Sequence, residues 1–269
     1  MLIVYADGIG TGGQGFANEG SILYKVVEQL LERRPSARAT KVRWPASMAG
    51  IGGNLSWIDA SRQGVEEIDS ILSSNPEEKF ILLGYSGGCR VIHEWLDSRL
   101  GDLHRIEAVG LMSDPFRPKQ RWQNGLPEPR GWGICGAKLG PIPDRTYWTT
   151  VPGDVISDAV PDAILRTPAD VSDVMPGSFL WDLRNHIKKG DLQLGWQIGV
   201  IRRNPFSWFI GLGPRLHQAR MDIRGYLTGQ HTNAYIEPFE GGDSLAVRLA
   251  NTINWSVNER ERKRAAGLL

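Results

Sequence analysis

The spacing of apolar residues switches between two periods along the first 150 positions. Helical spacing over Ile22–Leu31, Trp57–Leu72 and Gly88–Leu100 predicts helices, the first two capped by Ser21 and Ser56. Short apolar or β-branched runs predict buried strands at residues 2–5, 39–44, 79–85, 106–112 and 146–151. Strands that alternate with helices indicate βαβ units and a mostly parallel sheet.

The strand pattern stops soon after residue 154. We predict an α/β core from residues 1–159, a helical insertion from 160–228, and a return to the core over 229–257. Asp243 or Ser244 is expected to cap a final helix that ends near Trp255, and the charged tail 258–269 is expected to fray.

The charge balance and the cysteine content of the chain exclude several classes of protein. With 31 Lys and Arg against 30 Asp and Glu, the chain lacks the basic excess of a nucleic-acid-binding protein. Two cysteines in 269 residues exclude a disulfide scaffold or a Cys-rich zinc module. Neither a signal peptide nor a run of about 20 apolar residues is visible, so we expect a protein that is made in a cytoplasm and has no transmembrane segment. We also expect it to be a monomer.

The segment Gly84-Tyr85-Ser86-Gly87-Gly88 matches the pattern G-x-S-x-G. The pattern alone is weak, but here it joins the strongest predicted strand to a helix, where a nucleophile elbow belongs. The backbone N–H of Gly87 would then face an oxyanion hole from the helix N-terminus. The alternative is a tight glycine turn that carries an inert serine.

A nucleophilic serine needs a base and an acid later in the chain. His231 lies in a loop before the final helix, which would let it reach the carboxyl end of the sheet. Asp154 directly follows the strand at 146–151 and is the favoured acid, with Asp114, at the end of the preceding strand, as the alternative.

The loop from Gly8 to Gly13 has the spacing G-x-G-x-x-G of a dinucleotide site. The signal is weak, because the predicted helix starts only near Ser21 and no acid follows the second strand. In a hydrolase, Gly10 or Thr11 of this loop would supply the second oxyanion N–H. No metal motif occurs, and we expect neither a metal nor an organic cofactor.

Taken together, the elbow at Ser86, the Gly153-Asp154 pair and His231 resemble the cutinase-like α/β-hydrolases. Within that group the chain is most similar to the mycobacteriophage lysin B family of mycolylarabinogalactan esterases. The Gly10-Thr11-Gly12 loop, the segment Ser113–Arg117 and a helical region before the histidine match that family, whereas Gly87 stands where it often has Gln.

The resemblance implies a cutinase-like α/β-hydrolase fold and a serine esterase with Ser86, Asp154 and His231 as triad. The implied substrate is the ester between mycolic acids and arabinogalactan, cut from within an infected host to detach the outer membrane at lysis. A general cutinase or lipase is the alternative. Trp208 and Phe209, in the apolar segment 195–213, are expected either to line the acyl site or only to seal the insertion onto the sheet.

Overall fold

A computed structural model describes residues 1–11, 21–48, 51–138, 142–166 and 205–269. Of residues 205–212 and 227 it describes only the backbone. Residues 167–204 of the predicted helical insertion lie outside these ranges, as do the side chains of Trp208 and Phe209.

Five parallel strands form one sheet in the order β2-β1-β3-β4-β5. Their bounds are β1 Leu2–Ala6, β2 Arg38–Lys41, β3 Phe80–Tyr85, β4 Ile106–Met112 and β5 Thr146–Thr149. Strands β1, β3 and β4 are almost completely buried, as expected for parallel strands covered on both faces. The predicted α/β fold with a parallel sheet is therefore confirmed.

Helices cover both faces of this sheet. Two of them, α2 (Trp57–Ser73) and α3 (Gly88–Ser98), pack on the face that presents Val4 and Leu82. On the opposite face lie α1 (Tyr24–Arg33) and α5 (Leu245–Ala265), and α4 (Pro205–Leu227) precedes α5 in the chain. The alternation of side chains along each strand explains the two separate apolar layers.

Capping and long-range ion pairs set the helix ends. Ser56 and Ser244 each accept a hydrogen bond from a backbone N–H of the first turn that follows. Helix α5 continues to Ala265, eight residues into the segment expected to fray. It does so because Arg260 and Arg264, one turn apart, both bind the fully buried Glu107 of β4.

The carboxyl ends of three neighbouring strands meet at one edge. Tyr85, Met112 and Thr149 are partners in register at the ends of β3, β4 and β5. The chain then continues this ladder for one residue, because Ser86 N–H donates to Met112 O and Ser113 N–H donates to Thr149 O. Residues that follow β3, β4 and β5 are thereby brought side by side.

Candidate active site

Ser86 lies at a sharp turn between β3 and α3. Its φ of +50° is in the left-handed region, which non-glycine residues adopt only at a cost. Strand and helix approach so closely that a Cβ at Gly84 would lie 2.9 Å from Cys89 Cα, and one at Gly88 would lie 2.2 Å from Ala6 O. The two flanking glycines are therefore required by packing, and the turn has the geometry of a nucleophile elbow.

His231 reaches Ser86 from the loop before α5. Its Nε2 lies 2.8 Å from Ser86 Oγ, and the residue is only 5% exposed. The phenol of Tyr85 donates a hydrogen bond to the backbone carbonyl of His231. The imidazole ring itself is stacked against Tyr85 and against Tyr226, with ring centroids 5.4 Å and 4.9 Å away. These contacts fix the position and tilt of the ring over the serine.

Asp154, in the loop after β5, lies on the other side of the imidazole. Its Oδ1 is 3.2 Å from His231 Nδ1. The carboxylate is buried and accepts hydrogen bonds from Ser113, Tyr235 and Ser157 through Oδ2, and from the backbone of Ile156 through Oδ1. Burial alone would raise the pKa of Asp154, but the nearby His231 and the hydrogen bonds from Ser113 and Tyr235 hold it below the ordinary value.

The alternative acid, Asp114, belongs to a separate buried pair. Its Oδ2 accepts hydrogen bonds from His93 Nε2 at 2.9 Å and from Trp148 Nε1 at 2.8 Å, and its Oδ1 accepts one from Phe116 N at 2.9 Å. Burial opposes ionisation, yet His93 and these donors keep the pKa of Asp114 lowered. Of the two candidate acids, the structure brings Asp154, and not Asp114, to His231.

The first loop offers a different oxyanion donor from the two expected. Gly10 N–H donates to Ala46 O and Thr11 N–H donates to Gly8 O, so both are already engaged. Within the part of the chain that the structure describes, Ile9 N–H and Gly87 N–H have no hydrogen-bond partner. Ile9 N lies 3.4 Å from the position that a Cβ would occupy on Gly87. The N–H groups of Ile9 and Gly87 are therefore candidates for an oxyanion hole beside Ser86, whereas those of the expected Gly10 and Thr11 already have backbone acceptors.

The same contact explains why residue 87 is glycine. A Cβ there would lie 2.4 Å from Ile9 Cγ1 and 2.7 Å from Ile9 Cδ1, which is closer than real side chains approach. The branched side chain of Ile9 thus fills the space in which a glutamine would begin. No side chain supports the oxyanion hole from position 87, and two backbone N–H groups remain.

Several residues at the site are not among those predicted from sequence. They are Ser113, for which the sequence indicates only membership of the segment Ser113–Arg117, and the two tyrosines Tyr226 and Tyr235. Tyr235 follows His231 by one helical turn, in a 3₁₀ turn over Asn233–Tyr235, and this spacing is the signal that could have drawn attention to it.

Other expectations concern ligands and membranes. Helix α1 begins at Tyr24, and Gly13, the last glycine of the dinucleotide pattern, lies outside the described residues. Over the described ranges, no cluster of three or more His, Cys, Asp or Glu side chains is arranged to hold a metal. Nor is any helix in those ranges long and apolar enough to span a bilayer.

Comparison with known proteins finds similarity only at the level of three-dimensional structure. The chain matches no family model and no curated protein. Similar solved structures include a cutinase-like protein from Cryptococcus sp., with 17% identity and a TM-score of 0.45 over 64% of this chain and 88% of that one. The catalytic core of acetyl xylan esterase from Trichoderma reesei has 17% identity and a TM-score of 0.43 over 64% and 95%. Lysin B from Mycobacteriophage D29 has 19% identity and a TM-score of 0.38 over 60% and 68%.

Proposed function

We propose that this chain is a serine ester hydrolase that works through an acyl-enzyme. The observation that carries the proposal is the chain of contacts from Ser86 Oγ to His231 Nε2 at 2.8 Å and from His231 Nδ1 to Asp154 Oδ1 at 3.2 Å. Nucleophile, base and orienting acid stand in the order and geometry that acyl transfer needs.

In this mechanism, Ser86 Oγ attacks the ester carbonyl while His231 Nε2 accepts the hydroxyl proton. The carbonyl oxygen becomes an oxyanion, which accepts hydrogen bonds from the N–H groups of Ile9 and Gly87. The imidazolium then returns its proton to the departing alcohol, which leaves an ester on Ser86. A water molecule, deprotonated by His231, then attacks the carbonyl carbon of this ester, and the imidazolium gives the proton to Ser86 Oγ as the carboxylic acid leaves.

For the substrate we propose the ester between mycolic acids and arabinogalactan. This rests on the resemblance of the motifs at Ser86, Asp154 and His231 to the lysin B family, and on the apolar sequence of residues 195–213, which suits a long acyl chain. The corresponding biological role is detachment of the mycobacterial outer membrane at phage-induced lysis, by an enzyme made in the cytoplasm of the host.

Two measurements test the proposed reaction and the proposed substrate separately. Ser86→Ala should abolish hydrolysis of p-nitrophenyl butyrate with an unchanged unfolding curve, since Ala fits the turn as well as Ser. If the Ser86→Ala variant kept activity within about tenfold of the wild type, Ser86 could not be the nucleophile. Release of mycolic acids from purified mycobacterial cell wall tests the substrate. Turnover of the small ester without such release would favour a general cutinase or lipase.

A further inference from the structure

The hydroxyl of Ser113 lies between the base and the acid of the proposed triad. Ser113 Oγ is 2.9 Å from His231 Nδ1 and 2.5 Å from Asp154 Oδ2. The direct distances from Nδ1 to the carboxylate are longer, 3.2 Å to Oδ1 and 3.4 Å to Oδ2. The closest polar neighbour of Nδ1 is therefore the serine and not the carboxylate.

Hydrogen-bond direction decides what this serine does. The ionised Asp154 can only accept, so the Ser113 hydroxyl donates its single proton to Oδ2. Ser113 Oγ then has only lone pairs to offer to His231 Nδ1, which must carry the imidazole proton. Nε2 is consequently left unprotonated towards Ser86, which is the tautomer that a general base needs.

The backbone of Ser113 is held in an uncommon conformation that aims the hydroxyl at this place. Its φ is +51°, in the region where glycine is the ordinary residue, and its N–H is fixed by Thr149 O at the end of β5. The residue is fully buried. A non-glycine residue kept in a left-handed conformation at a polar site points to a role for its side chain.

We propose that Ser113 is a positioning residue that selects the Nδ1–H tautomer of His231 by donating its own proton to Asp154 and accepting from Nδ1. The proposal rests on the proposed ester hydrolysis. In this arrangement Asp154 acts on His231 in two ways, directly from Oδ1 at 3.2 Å and through the bridging hydroxyl of Ser113, which supplies part of the orientation.

The test compares Ser113→Ala and Ser113→Gly with the matched control Ser157→Ala. Ser157 also donates to Asp154 Oδ2, at 3.2 Å, but has no hydrogen bond to His231. With p-nitrophenyl butyrate, both Ser113 variants should lose about 10- to 100-fold in kcat with KM nearly unchanged, less than the ~10⁴-fold known for loss of a triad acid. Ser157→Ala should lose clearly less.

Two further readouts separate positioning from a general structural effect. The imidazole Nδ1–H resonance of His231 should shift or broaden in both Ser113 variants and stay in place in Ser157→Ala. In a double-mutant cycle, Ser113→Ala should cost much less on the background of Asp154→Asn than on the wild type, because both substitutions interrupt the same connection. Ser113→Gly tolerates the positive φ and serves if Ser113→Ala does not fold.

The proposal is overturned if the folded Ser113 variants keep kcat within about twofold of the wild type. It is also overturned if Ser157→Ala loses as much, if the Nδ1–H resonance does not change, or if the two losses simply add. Failure of the proposed function looks different: the wild type itself would then show no turnover that depends on Ser86. In that case the resonance still decides whether Ser113 binds His231.

Discussion

The two buried carboxylates after β4 and β5 should separate cleanly into a stability role and a catalytic role. Asp114→Asn removes the charge beside His93 and replaces one of two accepting oxygens by a donating amide. Asp114 receives three hydrogen bonds, two on Oδ2 and one on Oδ1. In either orientation of the amide, at least one buried N–H is left facing another donor.

A buried donor without a partner costs about 1–3 kcal/mol, and a hydrogen bond to a charged acceptor contributes more than a neutral one. Asp114→Asn should therefore lower the free energy of unfolding by about 2–4 kcal/mol, a large share of the usual ~5–15 kcal/mol. The kcat of the folded fraction should stay close to that of the wild type, because Asp114 does not contact His231.

Asp154→Asn should do the reverse. An amide beside His231 favours the unproductive tautomer, and a loss of about 10⁴-fold in kcat is the known consequence in a serine-protease triad. Urea unfolding gives the stabilities, and a phosphonate titration of Ser86 counts competent sites so that kcat refers to folded enzyme. The reasoning is refuted if Asp114→Asn loses kcat as severely as Asp154→Asn, or if Asp114→Asn leaves stability within about 0.5 kcal/mol of the wild type.

Three shorter predictions concern other parts of the molecule. Gly87→Gln should lower both stability, by about 1–3 kcal/mol, and kcat, because the new Cβ collides with Ile9, and combination with Ile9→Ala should restore stability in urea unfolding. Burial raises the pKa of Asp114, Asp154 and Glu107, but their hydrogen-bond and ion-pair partners lower it by more, so each pKa lies below its ordinary value. The stability that these carboxylates contribute is therefore present above about pH 4 and should be lost as the pH falls further, which acid-unfolding curves would measure. Trp208→Ala should reduce kcat/KM for C16 esters more than for C4 esters if it lines the acyl site, whereas an equal loss with a large drop in Tm would assign it to the core.

Local patterns in the sequence were sufficient for the elements that are set locally. The apolar runs predict the five strands to within a few residues, and the capping serines predict the starts of α2 and α5. The glycines at 84 and 88 mark the elbow because a close approach of strand and helix leaves no other residue possible. His231 could be selected because few histidines lie in loops at the right end of the sheet.

Structural features that depend on residues far away in the sequence could not be predicted from local patterns. Gly10 N–H donates to Ala46 O from another loop, and the sequence alone does not show that this expected oxyanion donor has such a partner. Two acids each follow a strand, and only the fold reveals that one meets His93 and the other meets His231. The end of α5 likewise depends on Glu107, more than 150 residues earlier in the chain.

The position of the base connects the sheet to the helical region that precedes it in sequence. The His231 ring is stacked against Tyr85 at the end of β3 and against Tyr226 near the end of α4. Nδ1 is held from β4 and from the loop after β5. A displacement of α4 would remove one of these supports and leave the others in place. The orientation of the His231 ring therefore depends in part on the position of α4, which carries Tyr226.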